Sequence, residues 1–254
     1  MVILSTVSAW ELGKSFDHSV LPKNTTEDNI RAGCREAIAY NCAAFYSSST
    51  YWTSVVGEEL EGSGVLTAAA VAFPFGAADS VVKARETEHA LGLGCGAIDM
   101  VMNIGALRSG RTADVVQECR DFKAAAGSAI TKVILETCFL THVEIKAACE
   151  IIAETGIDYA KTSSGQFEGP SMEEFLVMKG SLVGTGVKLK VAGVKFPRPQ
   201  NAYAFLLAGA DLIGTRAVPE IIGALDTMRK IGLVPGLAAG APETTERPHV
   251  AVSL

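Results

Sequence analysis

Lys132-Val-Ile-Leu-Glu-Thr137 is a short apolar run that ends on a carboxylate, and Asp158-Tyr-Ala-Lys-Thr-Ser-Ser-Gly165 is a second that ends on a lysine. The stretch 141–155 between them is amphipathic. It opens on Thr141, whose side-chain oxygen can cap the free N–H groups of a first helical turn, and it stops at Gly156. A strand, a helix and a strand in that order make a crossover, and a crossover makes the two strands parallel.

The same unit repeats in both directions. Further strands end near Phe45, Ala72, Met102, Ala192 and Gly214, with a short first one near Leu21. Helices are expected over 26–40 behind Thr26, 78–93 before Gly94, 113–126 before Gly127, 171–179 from Ser-Met-Glu-Glu, and 199–208 between Pro199 and Gly209. About eight strand–helix units point to a (β/α)8 TIM barrel of class α/β. An open doubly wound sheet is the rival, weakened by the lack of a G-x-G-x-x-G after the first strand. The expected layout is one domain over 1–231, and the Gly-, Pro-, Ala- and Thr-rich 232–254 reads as a flexible tail.

The chain has 254 residues, enough for one barrel, and 48% of them are hydrophobic. A net charge of −6 without a Lys/Arg run argues against a nucleic-acid partner. Apolar stretches break before the roughly 18 residues of a membrane span, so no membrane partner is expected. The N-terminus lacks the basic region of a signal peptide, and the six Cys form no C-x-x-C pair. A cytoplasmic protein with reduced thiols is the reading.

Polar residues that interrupt apolar strands near their ends are the candidates for chemistry: Asp99, Glu136, Lys161 and Lys190. Side chains alternate along a strand, so Lys190 facing the barrel axis puts Leu189 and Val191 against the helices. Lys161 and Lys190 then lie on adjacent strands. Two close ammonium groups, both buried, push each other toward the neutral form, and such a lysine can reach a pKa of about 7–8 and attack a carbonyl. Asp99 is the natural proton carrier for imine formation. Any one of these lysines alone would read as a strand-end charge or an ion pair. No metal and no cofactor are expected: His18, His89, His142 and His249 show no ligand spacing, and no G-x-S-x-G is present.

Ala97-Ile-Asp-Met-Val-Met-Asn-Ile-Gly-Ala-Leu-Arg-Ser-Gly110, Lys132-Val-Ile-Leu-Glu-Thr137, Ala160-Lys-Thr-Ser-Ser-Gly165 and Gly209-Ala-Asp-Leu-Ile-Gly-Thr215 resemble the deoxyribose-phosphate aldolase family. The resemblance runs in order from Phe16 to Leu225. It implies a class I aldolase, which cleaves 2-deoxyribose 5-phosphate reversibly to acetaldehyde and glyceraldehyde 3-phosphate. It makes Lys161 the Schiff-base lysine, Lys190 its tuning partner, Asp99 a proton carrier and Asp17 a second acid.

The chain departs from the family where the phosphate would bind. The family's Gly-Gly pair is Gly193-Val194 here, Phe196 holds the usual Arg position, and Arg216 stands among what are usually small residues. Ala43-Ala-Phe-Tyr-Ser-Ser48 lacks the family's Cys and Pro, and the chain does not end in Tyr. Gly165, Gly193, Gly214, Arg216 and Lys195 (with Arg198) are the expected substrate-binding set. The expected partner is a small aldehyde or sugar phosphate, and the expected assembly a homodimer. The alternatives are an imine-forming lyase of specialised metabolism acting on a different substrate, phosphorylated or not, and a non-catalytic barrel.

Overall fold

A computed structural model describes residues 3–236. After α1 (Ala9–Leu12) come β1 (Phe16–Val20), α2 (Glu27–Ala39), β2 (Ala44–Ser47), α3 (Thr53–Leu60), β3 (Leu66–Val71), α4 (Ser80–Gly92) and β4 (Ala97–Val101). Then follow α5 (Ile104–Arg108), α6 (Thr112–Ala126), β5 (Ile130–Ile134), α7 (His142–Glu154), β6 (Tyr159–Lys161) and α8 (Met172–Ser181). The chain continues through β7 (Lys188–Ala192), α9 (Arg198–Ala208), β8 (Leu212–Thr215), α10 (Val218–Gly223) and α11 (Leu225–Lys230). The strands are parallel and run in sequence order around a closed barrel, with Phe16 of β1 in register with Ile213 of β8.

The expected alternation decides where bulk goes. Phe45, Val71, Ile98, Val133, Ala160, Leu189, Val191 and Ile213 are buried in one core shared with the helices. The opposite strand face looks into the barrel, where Ala44, Ala68 and Ala97 surround Tyr46. Small residues leave the lumen room for one phenol and several long charged side chains. Helix starts follow the capping logic: Thr26, Thr141 and Ser171 each accept an N–H of the first turn in a capping box.

Three differences from the sequence reading have identifiable physical causes. Helix α4 starts at Ser80 rather than 78, because the Asp79 side chain accepts the Val81 N–H. Helix α3 carries no capping side chain and gave no start signal. The packed body also passes 231, since Val234 is fully buried in the main core and its N–H reaches the Met228 carbonyl. The rest of the expected tail, 237–254, lies outside the described residues.

Gly33 sits inside α2, where propensity alone favours alanine by about 1 kcal/mol. A Cβ there would come within 2.7 Å of the Phe45 ring and of Val20 Cγ2, both held between helix and barrel. Gly33→Ala is therefore expected to lower the urea midpoint. A midpoint raised as propensity predicts would show that this contact yields freely.

Candidate active site

Strand register places the charges. Asp99 lies beside Lys132 across β4 and β5, and Lys161 beside Lys190 across β6 and β7. Closure of the barrel brings Asp17 of β1 next to this group. All five side chains are buried. Lys161 Nζ and Lys190 Nζ each stand 2.8 Å from Asp99 Oδ2, and Lys190 Nζ is also 2.7 Å from Asp17 Oδ2. The four residues expected to carry the chemistry thus form one cluster.

Two members were not expected. Lys132 Nζ lies 3.6 Å from both Asp17 and Asp99 and donates to the Tyr46 hydroxyl at 2.6 Å. Tyr46 in turn donates to Asp99 Oδ1 at 2.7 Å. The inward parity of Lys132 was a usable signal. Tyr46 gave none, since an aromatic in an apolar strand reads as core.

The cluster sets the proton states. Burial alone would raise the Asp99 carboxyl, but Lys161, Lys190 and Lys132 hold it well below the usual carboxylate range. Burial pushes Lys190 down, and Asp17 with Asp99 more than compensates, so its ammonium is stabilised. Lys161 has weaker compensation: burial and the neighbouring Lys190 outweigh Asp99 and bring it down to about 8. At pH 7 roughly one amine in ten is then free to act as a nucleophile. Burial is the larger cause of this shift and the neighbouring Lys190 the lesser.

The loop after β6 is bolted in place. The Thr162 hydroxyl accepts the Ala192 N–H at 3.1 Å, and the Ser163 hydroxyl donates to the Ala192 carbonyl at 2.7 Å. Glu136, with a left-handed φ of 51°, accepts the Ser164 N–H at 3.0 Å. Glu136 therefore braces the loop that follows Lys161 and does not join the Asp99 cluster.

A small cavity of about 40 Å³ is lined by Lys161, Lys190, Asp17, Tyr46 and Phe73 among others. It shares Ser19, Leu21, Gly193 and Gly214 with a larger cavity of about 550 Å³ at the barrel mouth. Gly165, Gly193, Gly214, Lys195, Arg198 and Arg216 all line the larger one. Gly193 takes the left-handed conformation, at φ 70°, and Gly169 packs so close that its Cβ would overlap the Gly193 carbonyl. Val194 is not among the positive-φ residues, so the glycine-to-valine change costs no backbone strain there. It packs partly on the core and also lines the cavity. Lys195 is paired with Glu168 at 2.7 Å, and Arg198 faces Glu220 at 3.6 Å over the Phe196 ring. Arg216 is exposed and has no ion pair among the described residues.

Comparison with known proteins is consistent along the barrel. The family described as DeoC/LacD family aldolase matches residues 13–196. The deoxyribose-phosphate aldolase of Clostridium novyi (strain NT) is 38% identical over 212 residues, covering 83% of this chain and 95% of the relative. Among solved structures, the tetrameric deoxyribose phosphate aldolase from Aeropyrum pernix superposes with a TM-score of 0.78 at 25% identity, covering 87% of this chain and 93% of that one. QR15, an aldolase, superposes at 0.79 with 28% identity, covering 87% and 99%.

Lys190→Leu removes a cation beside Lys161 and leaves Asp99 in place, so the Lys161 amine should hold its proton to higher pH. The rate of reductive trapping of Lys161 by acetaldehyde, followed against pH, should show its apparent pKa above about 8. A profile unchanged from wild type would leave Lys190 without a tuning role.

Proposed function

Because this chain belongs to the DeoC/LacD family of aldolases, we propose that it cleaves 2-deoxyribose 5-phosphate reversibly to acetaldehyde and glyceraldehyde 3-phosphate through a Lys161 imine. The observation that carries the reading is a buried lysine near pKa 8 hydrogen-bonded to an ionised Asp99, on a small cavity that shares its lining with a larger one bearing Lys195, Arg198 and Arg216. The activity of the relatives supports the sugar phosphate over an unphosphorylated substrate.

The free Lys161 amine attacks C1 of the open-chain sugar. Water leaves the carbinolamine to give a protonated imine: the Asp99 carboxylate relays a proton from nitrogen to the leaving oxygen, and the Lys190 ammonium supplies the second proton. The Lys190 amine left by that donation takes the C3 hydroxyl proton, and the C2–C3 bond breaks. Its electron pair flows into the imine to give an enamine, and glyceraldehyde 3-phosphate departs. The Lys190 ammonium protonates C2, and hydrolysis releases acetaldehyde, frees the Lys161 amine and yields the proton that recharges Lys190. Asp17, 2.7 Å from Lys190, is placed to take part in returning that proton. Gly165, Gly193 and Gly214 let backbone approach the ester, and Arg216 with Lys195 supplies the charge for its phosphate.

Borohydride reduction with 2-deoxyribose 5-phosphate, or with acetaldehyde, should leave a mass adduct on Lys161, and Lys161→Ala should abolish turnover. Absence of both adducts would remove the imine mechanism. Arg216→Ala should raise KM for the phosphorylated sugar about 10- to 100-fold, the weight of one charged hydrogen bond, and leave unphosphorylated deoxyribose unaffected. Equal effects on both sugars would take Arg216 out of the anion site.

For the assembly, we propose a homodimer through the outer helices. Val82 on α4 and Val143 on α7 are among the exposed apolar side chains that support self-association. Light scattering at micromolar concentration should return twice the chain mass, and a monomer mass would dismiss the proposal. Six free cysteines, five of them buried, support a reducing cytoplasmic setting, and cell fractionation would test it. No described helix is long and apolar enough to cross a membrane.

A further inference from the structure

Tyr46 stands in the middle of the charged cluster, and the chemistry proposed above does not use it. Its hydroxyl has an assigned direction. An ammonium group can only donate, so the phenol oxygen must accept the 2.6 Å contact from Lys132. The phenol proton is then left for Asp99 Oδ1, at 2.7 Å. The two oxygens of Asp99 are thereby divided. Oδ1 is tied to Tyr46, and Oδ2 receives both Lys161 and Lys190 at 2.8 Å. The ring does a second job: its face lies 4.0 Å from Lys190 Nζ, a cation–π contact in a desolvated site.

From this geometry we infer that Tyr46 is a positioning residue for the imine reaction, one that turns a single oxygen of Asp99 toward Lys161 and shares the charge of the carboxylate through its hydroxyl. The inference rests on the aldolase reading above. An aspartate side chain has two torsions, and with Oδ1 untethered the Asp99 carboxylate could turn to give one oxygen to each lysine. Lys132, held by Asp17 and Asp99 at 3.6 Å, keeps the phenol proton pointing one way. Alanines at 44, 68 and 97 leave the phenol the space that it fills.

The groups that face this hydroxyl and the Lys161 amine are few. Asp17 comes from β1, Asp99 from β4, Lys132 from β5 and Lys190 from β7, with Cys95 before β4 and Glu136 after β5, while the Tyr159 ring of β6 faces Lys132 at 5.4 Å. Strand β3 offers alanine beside Asp99, and β8 offers Leu212 and Gly214. Burial, then the charges of Asp99 and Asp17, hold the phenol far above its ordinary range, so it remains a donor at every working pH. Loss of the hydroxyl concentrates charge on Asp99, which then holds the Lys161 proton more firmly.

The test compares wild type, Tyr46→Phe and protein carrying 3-fluorotyrosine at position 46, a stronger donor of nearly the same shape. Turnover of 2-deoxyribose 5-phosphate and the rate of acetaldehyde trapping on Lys161 are followed against pH. Tyr46→Phe should lower kcat about 10- to 100-fold with little change in KM, and move the acid limb to higher pH. Fluorotyrosine should move that limb the opposite way, and it decides the matter even where Tyr46→Phe fails to fold. Limbs that coincide in all folded proteins, with an adduct still on Lys161, would overturn the role of Tyr46 alone. No adduct in wild type would overturn the imine reading and this inference with it.

Discussion

Three lysines and two aspartates are buried together inside this barrel, and such a space tolerates paired charge far better than surplus charge. The cluster balances when one lysine is neutral. Geometry selects which. Lys190 has Asp17 and Asp99 within 2.8 Å, and Lys132 lies between the same two acids with Tyr46 on its ammonium. Lys161 has only its half of Asp99 Oδ2. The least compensated ammonium loses its proton most readily, and the product is a nucleophile in the place where a carbonyl would arrive. The buried ion pairs are thus poor evidence of stability and good evidence of use.

That arrangement demands an unusual lumen. Lumens of this fold are commonly filled by branched apolar side chains in layers. Here alanines line much of the inner face, and Gly214 leaves out the Cβ that would lie 3.0 Å from Lys190 Cε. The space goes to one phenol and to the methylene stems of lysines, which are apolar along their length and carry charge only at the tip. The outer face compensates with Phe16, Phe45, Val71, Ile98 and Val191 packed under the helices. Stability and chemistry therefore sit on opposite sides of the same strands.

The mouth follows a different rule. Lys195 and Arg198 line the larger cavity, but each also faces an acid, Glu168 or Glu220. Arg216 is the cation with no competing carboxylate among the described residues. Gly193 takes the left-handed conformation and packs on Gly169. Val194 next to it keeps an ordinary backbone and spends part of its side chain on the core.

Much of this was legible along the chain. Alternation and capping residues are local, so strand order, most helix starts and the inward face of Asp99, Lys161 and Lys190 could be read without coordinates. Glu136 could be seen as unusual, but its hold on the Ser164 amide could not, because the contact crosses between two loops. Helix α3 was silent for want of a cap, and Val234 looked like tail because its burial depends on a distant core. Tyr46 and Lys132 belong to strands that are not neighbours, and only closure of the barrel brings them together across the lumen. The sequence by itself determined which side chains point inward, since pleating is a property of each strand alone. The tertiary structure decided which of them meet and which keeps its proton, since those depend on distance and desolvation that no single strand controls.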